Sequence, residues 1–228
     1  MVTEDLGEMY VDVSNGEGNR HKITDTSKAD KNKMIDFLNY ELRYNSDSTY
    51  KYAVITGVKE EYKSKLIGEF IIPNLIEGYP VRAIGTNAFL KCTGLKRVYI
   101  PESCSNLHWS AFNRCYNLVE VSFIGNSISL IDGYAFANCP SLKEIVFPEN
   151  YIGDSHPYLK TAAFFLENSA EVNQYTKSLT KIVVPKWVKG LGTYCFKNSS
   201  VKELYLPKGI KCVDYSDLDG ETPSSEVL

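Results

Sequence analysis

Apolar residues recur in one fixed pattern through the middle of the chain. The segments AIGTNAFLKCTGLKRVYIP (83–101), NLHWSAFNRCYNLVEVSFIG (106–125) and LIDGYAFANCPSLKEIVFP (130–148) follow one another with little between them. Aligned on the phenylalanine of each Ala-Phe pair, Phe89, Phe112 and Phe136, the copies lie 23 and 24 residues apart. A period in the twenties is typical of a solenoid, in which each unit buries its apolar face against its neighbours.

The second half of each copy predicts a β-strand. In the first copy Leu95, Val98 and Ile100 precede Pro101, and the same spacing recurs in units from Ile67 to Pro207. Side chains alternate across a strand, so we expect the first, fourth and sixth positions to point into the coil and the others to face outwards. One such strand per unit predicts a parallel sheet along one face of the solenoid.

The first half of each copy predicts equivalent buried slots. A small residue precedes each phenylalanine, which indicates a place where only a small side chain fits. A cysteine follows three residues later in the three central copies, and free cysteine behaves as a small buried hydrophobe. A bridge between adjacent units, about 4.8 Å apart, is sterically allowed, but equivalent slots favour reduced structural thiols. The columns consist of Ala88, Ala111, Ala135, Ala163 and Cys195, and of Cys92, Cys115 and Cys139.

The two ends of the chain depart from the repeat. Residues 1–48 are predicted to form an N-terminal cap, because Met34, Phe37, Leu38 and Leu42 indicate an amphipathic helix at about 28–44. A helix that binds a partner is the alternative for this segment. Residues 49–218 contain about six units, and 219–228 form a polar C-terminal tail. Uncovered solenoid ends also allow self-association.

These units resemble the BspA-like (treponemal-type) leucine-rich repeat family, whose unit reads roughly Leu-x-x-Val-x-Ile-Pro followed by Ile-Gly-x-x-Ala-Phe-x-x-Cys. The resemblance covers about residues 50–218, with departures such as Gly125 in place of proline and His108 in place of glycine. It implies an α/β repeat solenoid: a curved, right-handed coil with a parallel β-sheet on the concave face and short helical or irregular turns elsewhere. It also implies adhesion or protein binding, often at a cell surface, and no enzymatic activity.

Composition excludes several classes of function. The 25 basic and 28 acidic residues give a net charge of −3, which argues against a nucleic-acid partner. No apolar run approaches the roughly 18 residues of a membrane span, and no signal peptide is recognisable in this chain, so its localisation stays open. The chain carries no C-x-x-C, H-E-x-x-H, G-x-S-x-G or P-loop motif. We therefore expect no metal site, no cofactor and no catalysis.

The outward strand positions form the first candidate binding surface. They combine tyrosines with charges of both signs, which suits a protein ligand or a glycan. The alternative is that opposite charges on neighbouring strands pair with one another and only stabilise the sheet. The candidate residues are Lys96, Arg97, Tyr99, Glu120, Ser122, Glu144, Val146, Lys181, Val183, Glu203 and Tyr205.

An irregular unit between Pro148 and Leu179 supplies the second candidate surface. It contains five extra residues before Phe164 and nine after it, relative to the first copy. Insertions into repeats often carry the binding function, although a tolerated surface loop explains them equally. The candidate residues are Tyr151, Asp154, His156, Tyr158 and Tyr175.

The sequence therefore predicts a non-catalytic module that recognises a macromolecule. Adhesion or surface interaction with a protein ligand is the first hypothesis, with a glycan as the other candidate ligand. An intracellular scaffold or regulator that sequesters a protein partner is the second hypothesis, since unpaired thiols suit a reducing compartment.

Overall fold

The computed structural model describes residues 35–63, 66–125, 128–147, 158–159 and 163–213. In these ranges no helix is long and apolar enough to cross a membrane. The elements within them are the strands β1 (Leu38–Tyr44), β2 (Lys51–Val58), β3 (Gly68–Ile71), β4 (Leu75–Ile76), β5 (Tyr79–Ile84), β6 (Leu95–Ile100), β7 (Asn106–Leu107), β8 (Glu120–Phe123), β9 (Leu130–Ile131), β10 (Glu144–Val146), β11 (Tyr158–Leu159), β12 (Lys181–Val183), β13 (Gly190–Gly192), β14 (Glu203–Tyr205) and β15 (Lys211–Val213), and the helices α1 (Glu60–Lys63) and α2 (Ala170–Asn173).

The strands form the walls of a β-solenoid of about six turns. One wall contains the strands that end each Leu-x-x-Val-x-Ile segment, in the parallel order β10-β8-β6-β3, and a separate parallel pair, β12-β14. The opposite wall is one sheet in the order β1-β2-β5-β7-β9-β11-β13-β15, with β4 paired to β5. From β2 to β15 its path is parallel. The predicted repeat solenoid is confirmed, because each turn adds one strand to each wall.

The predicted helix at about 28–44 is wrong over residues 38–44. This segment is strand β1, which pairs antiparallel with β2 and places Tyr40 opposite Ile55 and Leu42 opposite Ala53. Leu38 is buried, and Tyr40 and Leu42 pack against the core. The apolar residues at 38, 40 and 42 alternate, and pairing with the edge of β2 favours that period over the helical one. Residues 28–34 and the rest of the predicted cap, like the predicted tail at 219–228, lie outside the described residues.

Stacked phenylalanines form the centre of the coil. Phe112 is fully buried, and its ring lies 4.8 Å from that of Phe89 and 5.4 Å from that of Phe136, with interplanar angles of 11° and 9°. Phe164 and Phe196 continue the stack at 5.6 and 5.5 Å. These ring distances, 4.8 to 5.6 Å, are close to the spacing of about 4.8 Å between paired strands, so the same side chain in each unit contacts its counterparts above and below.

The column of small residues follows from how closely the backbones approach. The amide N–H of Phe89 donates to the carbonyl of Ala111 at 2.7 Å, and that of Phe112 donates to the carbonyl of Ala135 at 2.8 Å. Both alanines are fully buried. A larger side chain at either position would push these two backbones apart, which agrees with the preference for alanine in the sequence.

The cysteine column has a hydrogen-bonding role. The thiol of Cys115 donates to the carbonyl of Phe89 at 3.1 Å, and that of Cys139 donates to the carbonyl of Phe112 at 3.2 Å. Every cysteine whose side chain the structure describes is free and buried. Burial raises the pKa of the Cys92 thiol to about 12, so this thiol is protonated at neutral pH.

The turns around each phenylalanine rely on left-handed backbone conformations. In four units the residues two before and two after the phenylalanine have φ between 55° and 61°. None of them is glycine, although this region favours glycine. These residues are Asn87, Lys91, Ser110, Arg114, Tyr134, Asn138, Tyr194 and Asn198.

Candidate functional site

The surface predicted from the outward strand positions is divided into two parts. Strands β10 and β12 belong to different sheets, and the irregular unit separates them in the sequence. We call Lys96, Arg97, Tyr99, Glu120, Ser122, Glu144 and Val146 the N-terminal array. We call Lys181, Val183, Glu203 and Tyr205 the C-terminal array. The two arrays differ in exposure and in the pairing of their charges.

The prediction that Tyr99 faces a ligand is wrong. Its side chain is only 3% exposed, and its neighbour on β3, Ile71, is 2% exposed. Both residues belong to the hydrophobic core. Strand alternation predicts the direction of a side chain, but it does not predict whether that face of the sheet is open to solvent.

Arg97 at the centre of the N-terminal array is already paired with carboxylates. Arg97 contacts the carboxylate of Glu69 on one neighbouring strand, and its Nε lies 3.5 Å from Glu120 on the other. The hydrogen bond to Glu69 is the main cause that raises the pKa of Arg97. Ser122 donates to Glu120 at 2.9 Å. Glu144 and Val146 are half-buried, and Lys96 is exposed. This arrangement supports the alternative in which these residues stabilise the sheet.

The C-terminal array presents apolar surface to solvent. Val183 and Tyr205 lie side by side on β12 and β14 and are 58% and 51% exposed. The Lys181 Nζ lies 4.8 Å from the centre of the Tyr205 ring and 3.6 Å from Glu203, and the Tyr205 hydroxyl donates to Glu203 at 3.1 Å. These contacts hold the tyrosine in one orientation while leaving it accessible.

Most of the second candidate surface lies outside the described residues. Tyr151, Asp154 and His156 are among the residues that the structure does not describe. Tyr158 is in β11, where its backbone pairs with Gly190 of β13. Tyr175 is half-buried, and its ring stacks on that of Tyr116 at 5.2 Å. The described end of the insertion, residues 163–178, therefore packs against an earlier unit.

Arg114 fixes this insertion through a group of contacts that we call the Arg114 clasp. Its guanidinium lies 3.1 Å from Glu167 and 3.3 Å from Glu171, and the Tyr116 hydroxyl donates to Glu171 at 2.8 Å. Burial, and then the bond to Glu171, raises the pKa of Tyr116 to about 12. Sequence reasoning missed the clasp because its partners are more than 50 positions apart and share no repeat column.

Removal of the clasp is expected to loosen the insertion without unfolding the solenoid. Arg114→Ala should lower the free energy of unfolding by about 1 kcal/mol, the scale of a partly exposed ion-pair group. Amide hydrogen exchange in α2 should become faster, as measured by mass spectrometry. Arg43→Ala is the matched control, because the Arg43 partner Glu41 lies on the same strand. Unchanged exchange in α2 would contradict a bracing role for Arg114.

A row of aromatic side chains also escaped the sequence analysis. Trp109 is 38% exposed, its ring lies 4.9 Å from that of Tyr134, and Tyr134 lies 6.1 Å from Phe165. The three residues stand at different offsets from the phenylalanines of their units, so no column in the sequence links them. They meet because successive turns stack.

The described residues offer no candidate metal centre. Nowhere in these ranges do three or more His, Cys, Asp or Glu side chains form a group that could hold a metal ion. Burial lowers the pKa of His108, which is half-buried, while the nearby charge of Asp132 opposes that shift.

Several solved leucine-rich repeat proteins are similar to this chain. The chain is similar in structure to a leucine-rich repeat protein of T. pallidum, with 23% identity, a TM-score of 0.49 and coverage of 78% of this chain and 83% of that one. Leucine-rich repeat proteins of Bacteroides capillosus and Bacteroides ovatus are 22% and 18% identical, with TM-scores of 0.39 and 0.34. The matches cover 73% and 78% of this chain, 92% of the first protein and 55% of the second.

The sequence comparisons identify the family. No curated protein sequence matches the chain. The family model of the BspA type leucine rich repeat region matches residues 59–169 and 169–221 in six copies. Repeats of this kind build protein-interaction modules that are generally non-catalytic. Since the match extends over well more than half of the 228 residues, this chain belongs to the BspA type leucine-rich repeat family.

Proposed function

We propose that this chain binds a protein ligand through the C-terminal array and acts as an adhesion or surface-interaction module. The observation that carries the proposal is the pair of Val183 and Tyr205, large side chains more than half exposed on adjacent strands. Isolated exposed apolar residues are ordinary, but an apolar and aromatic pair within a polar frame is the arrangement found at interface centres. The adhesion setting is drawn from the family.

The contacts around Tyr205 support the proposal. Tyrosine is among the residues that contribute most to binding energy at interfaces. The Tyr205 ring is held by Lys181 and its hydroxyl by Glu203, so a ligand would not have to immobilise it. Preorganisation of this kind lowers the entropic cost of association.

The N-terminal array lacks these properties. Tyr99 is buried, and Arg97 already contacts carboxylates on both neighbouring strands. A ligand would have to break these ion pairs and desolvate their charges, which costs more than it returns unless each charge is paired again.

A charge substitution on the exposed pair tests the proposal. Val183→Asp/Tyr205→Asp is expected to weaken a captured protein ligand by about 3 kcal/mol, more than a hundredfold, the scale of a lost interface centre. The measurement is crosslinking capture with mass spectrometry, followed by titration of the identified ligand. Circular dichroism should show an unchanged fold, because both side chains point into solvent.

Tyr44→Asp/Leu75→Asp is the matched control. These residues are 55% and 50% exposed and lie far from the C-terminal array in the sequence. If the control loses the same ligand, or if the test variant keeps it, the C-terminal array is not the binding site.

A further inference from the structure

The charge of the chain is distributed unevenly. Residues 177–213 contain eight lysines, no arginine and one acidic residue, Glu203, which gives this segment a net charge of +7. The whole chain carries −3, so the remaining residues carry −10. The last two described coils are therefore strongly basic within an acidic protein, and such asymmetry points to an oppositely charged partner.

The lysines frame the exposed apolar pair. Lys186 and Lys208 follow Pro185 and Pro207 in turns that have the same backbone hydrogen bond, from residue 188 to 185 and from 210 to 207. Because β12 and β14 pair in register, these lysines occupy equivalent places one coil apart, about 4.8 Å. Lys181 and Lys202 lie at the other end of the same strands. All four side chains are exposed.

Among the described residues, most of these lysines have no carboxylate partner. Lys181 pairs with Glu203. Within the described part of the chain no carboxylate forms an ion pair with Lys186, Lys189, Lys202 or Lys208. The cationic groups thus remain available on both sides of Val183 and Tyr205.

We propose that the ligand presents an acidic protein segment, with aspartate or glutamate on both sides of an apolar or aromatic residue. The apolar residue covers Val183 and Tyr205, and the carboxylates face Lys186 and Lys208 at one end and Lys202 at the other. This inference rests on the proposed function and specifies the chemistry of its partner. Opposite charge at a binding surface raises the association rate and discriminates against wrong partners.

The composition of the basic surface favours carboxylates over phosphates or sulfates. Arginine is preferred where a phosphate is held by two parallel hydrogen bonds, whereas lysine binds an anion as a point charge. Residues 177–213 contain lysine as their only cation. A lysine is a compact point charge that pairs with single carboxylates, and the exposed apolar pair adds a contact that a polyanion backbone does not use.

The test is fluorescence anisotropy of the full chain with two dye-labelled peptides. One peptide is Asp-Glu-Asp-Phe-Glu-Asp-Glu, and its neutral counterpart is Asn-Gln-Asn-Phe-Gln-Asn-Gln. We expect the acidic peptide to bind at least about tenfold more tightly, and to lose affinity as salt is raised and the charges are screened. Equal binding of the two peptides would overturn the proposal.

Two double variants locate the binding. Lys186→Glu/Lys208→Glu should weaken the acidic peptide by at least about tenfold, because it reverses one end of the frame. Lys96→Glu/Lys143→Glu makes the same change in charge at exposed lysines of earlier units and should weaken it by less than about threefold, the effect of net charge alone. If both variants lose the same affinity for the acidic peptide, the attraction is a non-specific effect of net charge and no defined site binds the peptide, which contradicts the proposal.

Two other ligands of the basic surface, a polyanion and residues 214–228 of the chain, would give different results. If a heparin fragment or an oligothymidylate binds more tightly than the acidic peptide and is weakened by the same variant, the partner is a polyanion and the proposal is wrong. Residues 214–228 contain five acidic and no basic residues. If the acidic peptide binds only after these five are changed to Asn or Gln, the occupant is this segment of the chain itself, which also overturns the proposal.

The peptide experiment and the test of the proposed function can fail independently. If Val183→Asp/Tyr205→Asp loses a protein ligand while the acidic peptide fails to bind, the chemistry assigned to the partner is wrong and the binding site stands. If the acidic peptide binds at Lys186 and Lys208 while Val183→Asp/Tyr205→Asp still captures the same protein ligand as the unchanged chain, the proposed function fails.

Discussion

Replacement of Phe112 by alanine is expected to lower the free energy of unfolding by about 4 kcal/mol, the scale of a large buried side chain lost from a core. Phe112 is fully buried and stacks on a ring at both faces, Phe89 at 4.8 Å and Phe136 at 5.4 Å. The variant loses both contacts and leaves a cavity. Since domains are stable by about 5–15 kcal/mol, urea denaturation should show a large fall in the transition midpoint.

Phe196→Ala is the control for this prediction. Phe196 belongs to the same column, but it is only half-buried and in the described chain stacks on one ring, that of Phe164. We expect a loss of about 2 kcal/mol, because less apolar surface leaves water on folding. Equal losses for the two variants would show that stability does not depend on stacking between units, contrary to a nearest-neighbour solenoid.

Alkaline pH is expected to destabilise the fold strongly. Burial raises the pKa of Cys92, Cys104 and Cys195 from the ordinary 9.0 to about 12. Below pH 9 each thiol is protonated in both states, so its contribution is constant. Between pH 9 and 12 the unfolded chain releases these protons while the folded chain retains them. Stability therefore falls as pH rises, by about 1.4 kcal/mol per pH unit for each thiol at full slope.

For the three thiols together we expect a loss of about 5 kcal/mol between pH 9.0 and 10.5, measured by urea denaturation at each pH. Cys104→Ala/Cys195→Ala removes two of these groups and should lose about 3 kcal/mol less over the same interval. The comparison cancels the titration of lysines and exposed tyrosines. A pH dependence identical in both proteins would show that the buried thiols do not titrate with unfolding.

The architecture was predictable from the sequence because a stacked repeat makes its packing periodic. Phe89, Phe112 and Phe136 recur at the spacing of the coil, and each contacts its counterparts. The alanine and cysteine columns recur for the same reason, although the sequence did not show their hydrogen bonds to the backbone of the neighbouring unit. The left-handed turns at Lys91 and Arg114 were also invisible, because neither residue type favours that conformation.

The candidate site was predicted only in part. The outward direction of Lys181, Val183, Glu203 and Tyr205 follows from alternation along the strands, and the structure shows all four exposed, as two pairs on adjacent strands. Their role in binding stays a prediction. Tyr99 has the same place in its strand as Tyr205, but it is buried. The two tyrosines lie in different sheets, and the repeat pattern alone does not distinguish their exposure.

The repeat, the alternation along most strands and the buried columns of phenylalanine, alanine and cysteine follow from the sequence alone, since these features depend on contacts between equivalent residues one period apart. The folded structure was needed to show which strand residues reach solvent, including Ile67 and Leu206, which were expected to point inwards. It was also needed to show why residues 38–44 form a strand and how Arg114 holds Glu167 and Glu171. Each of these depends on contacts between residues that occupy different places in their units or lie outside the repeat. Such contacts have no period, so the pattern of the sequence carries no signal for them.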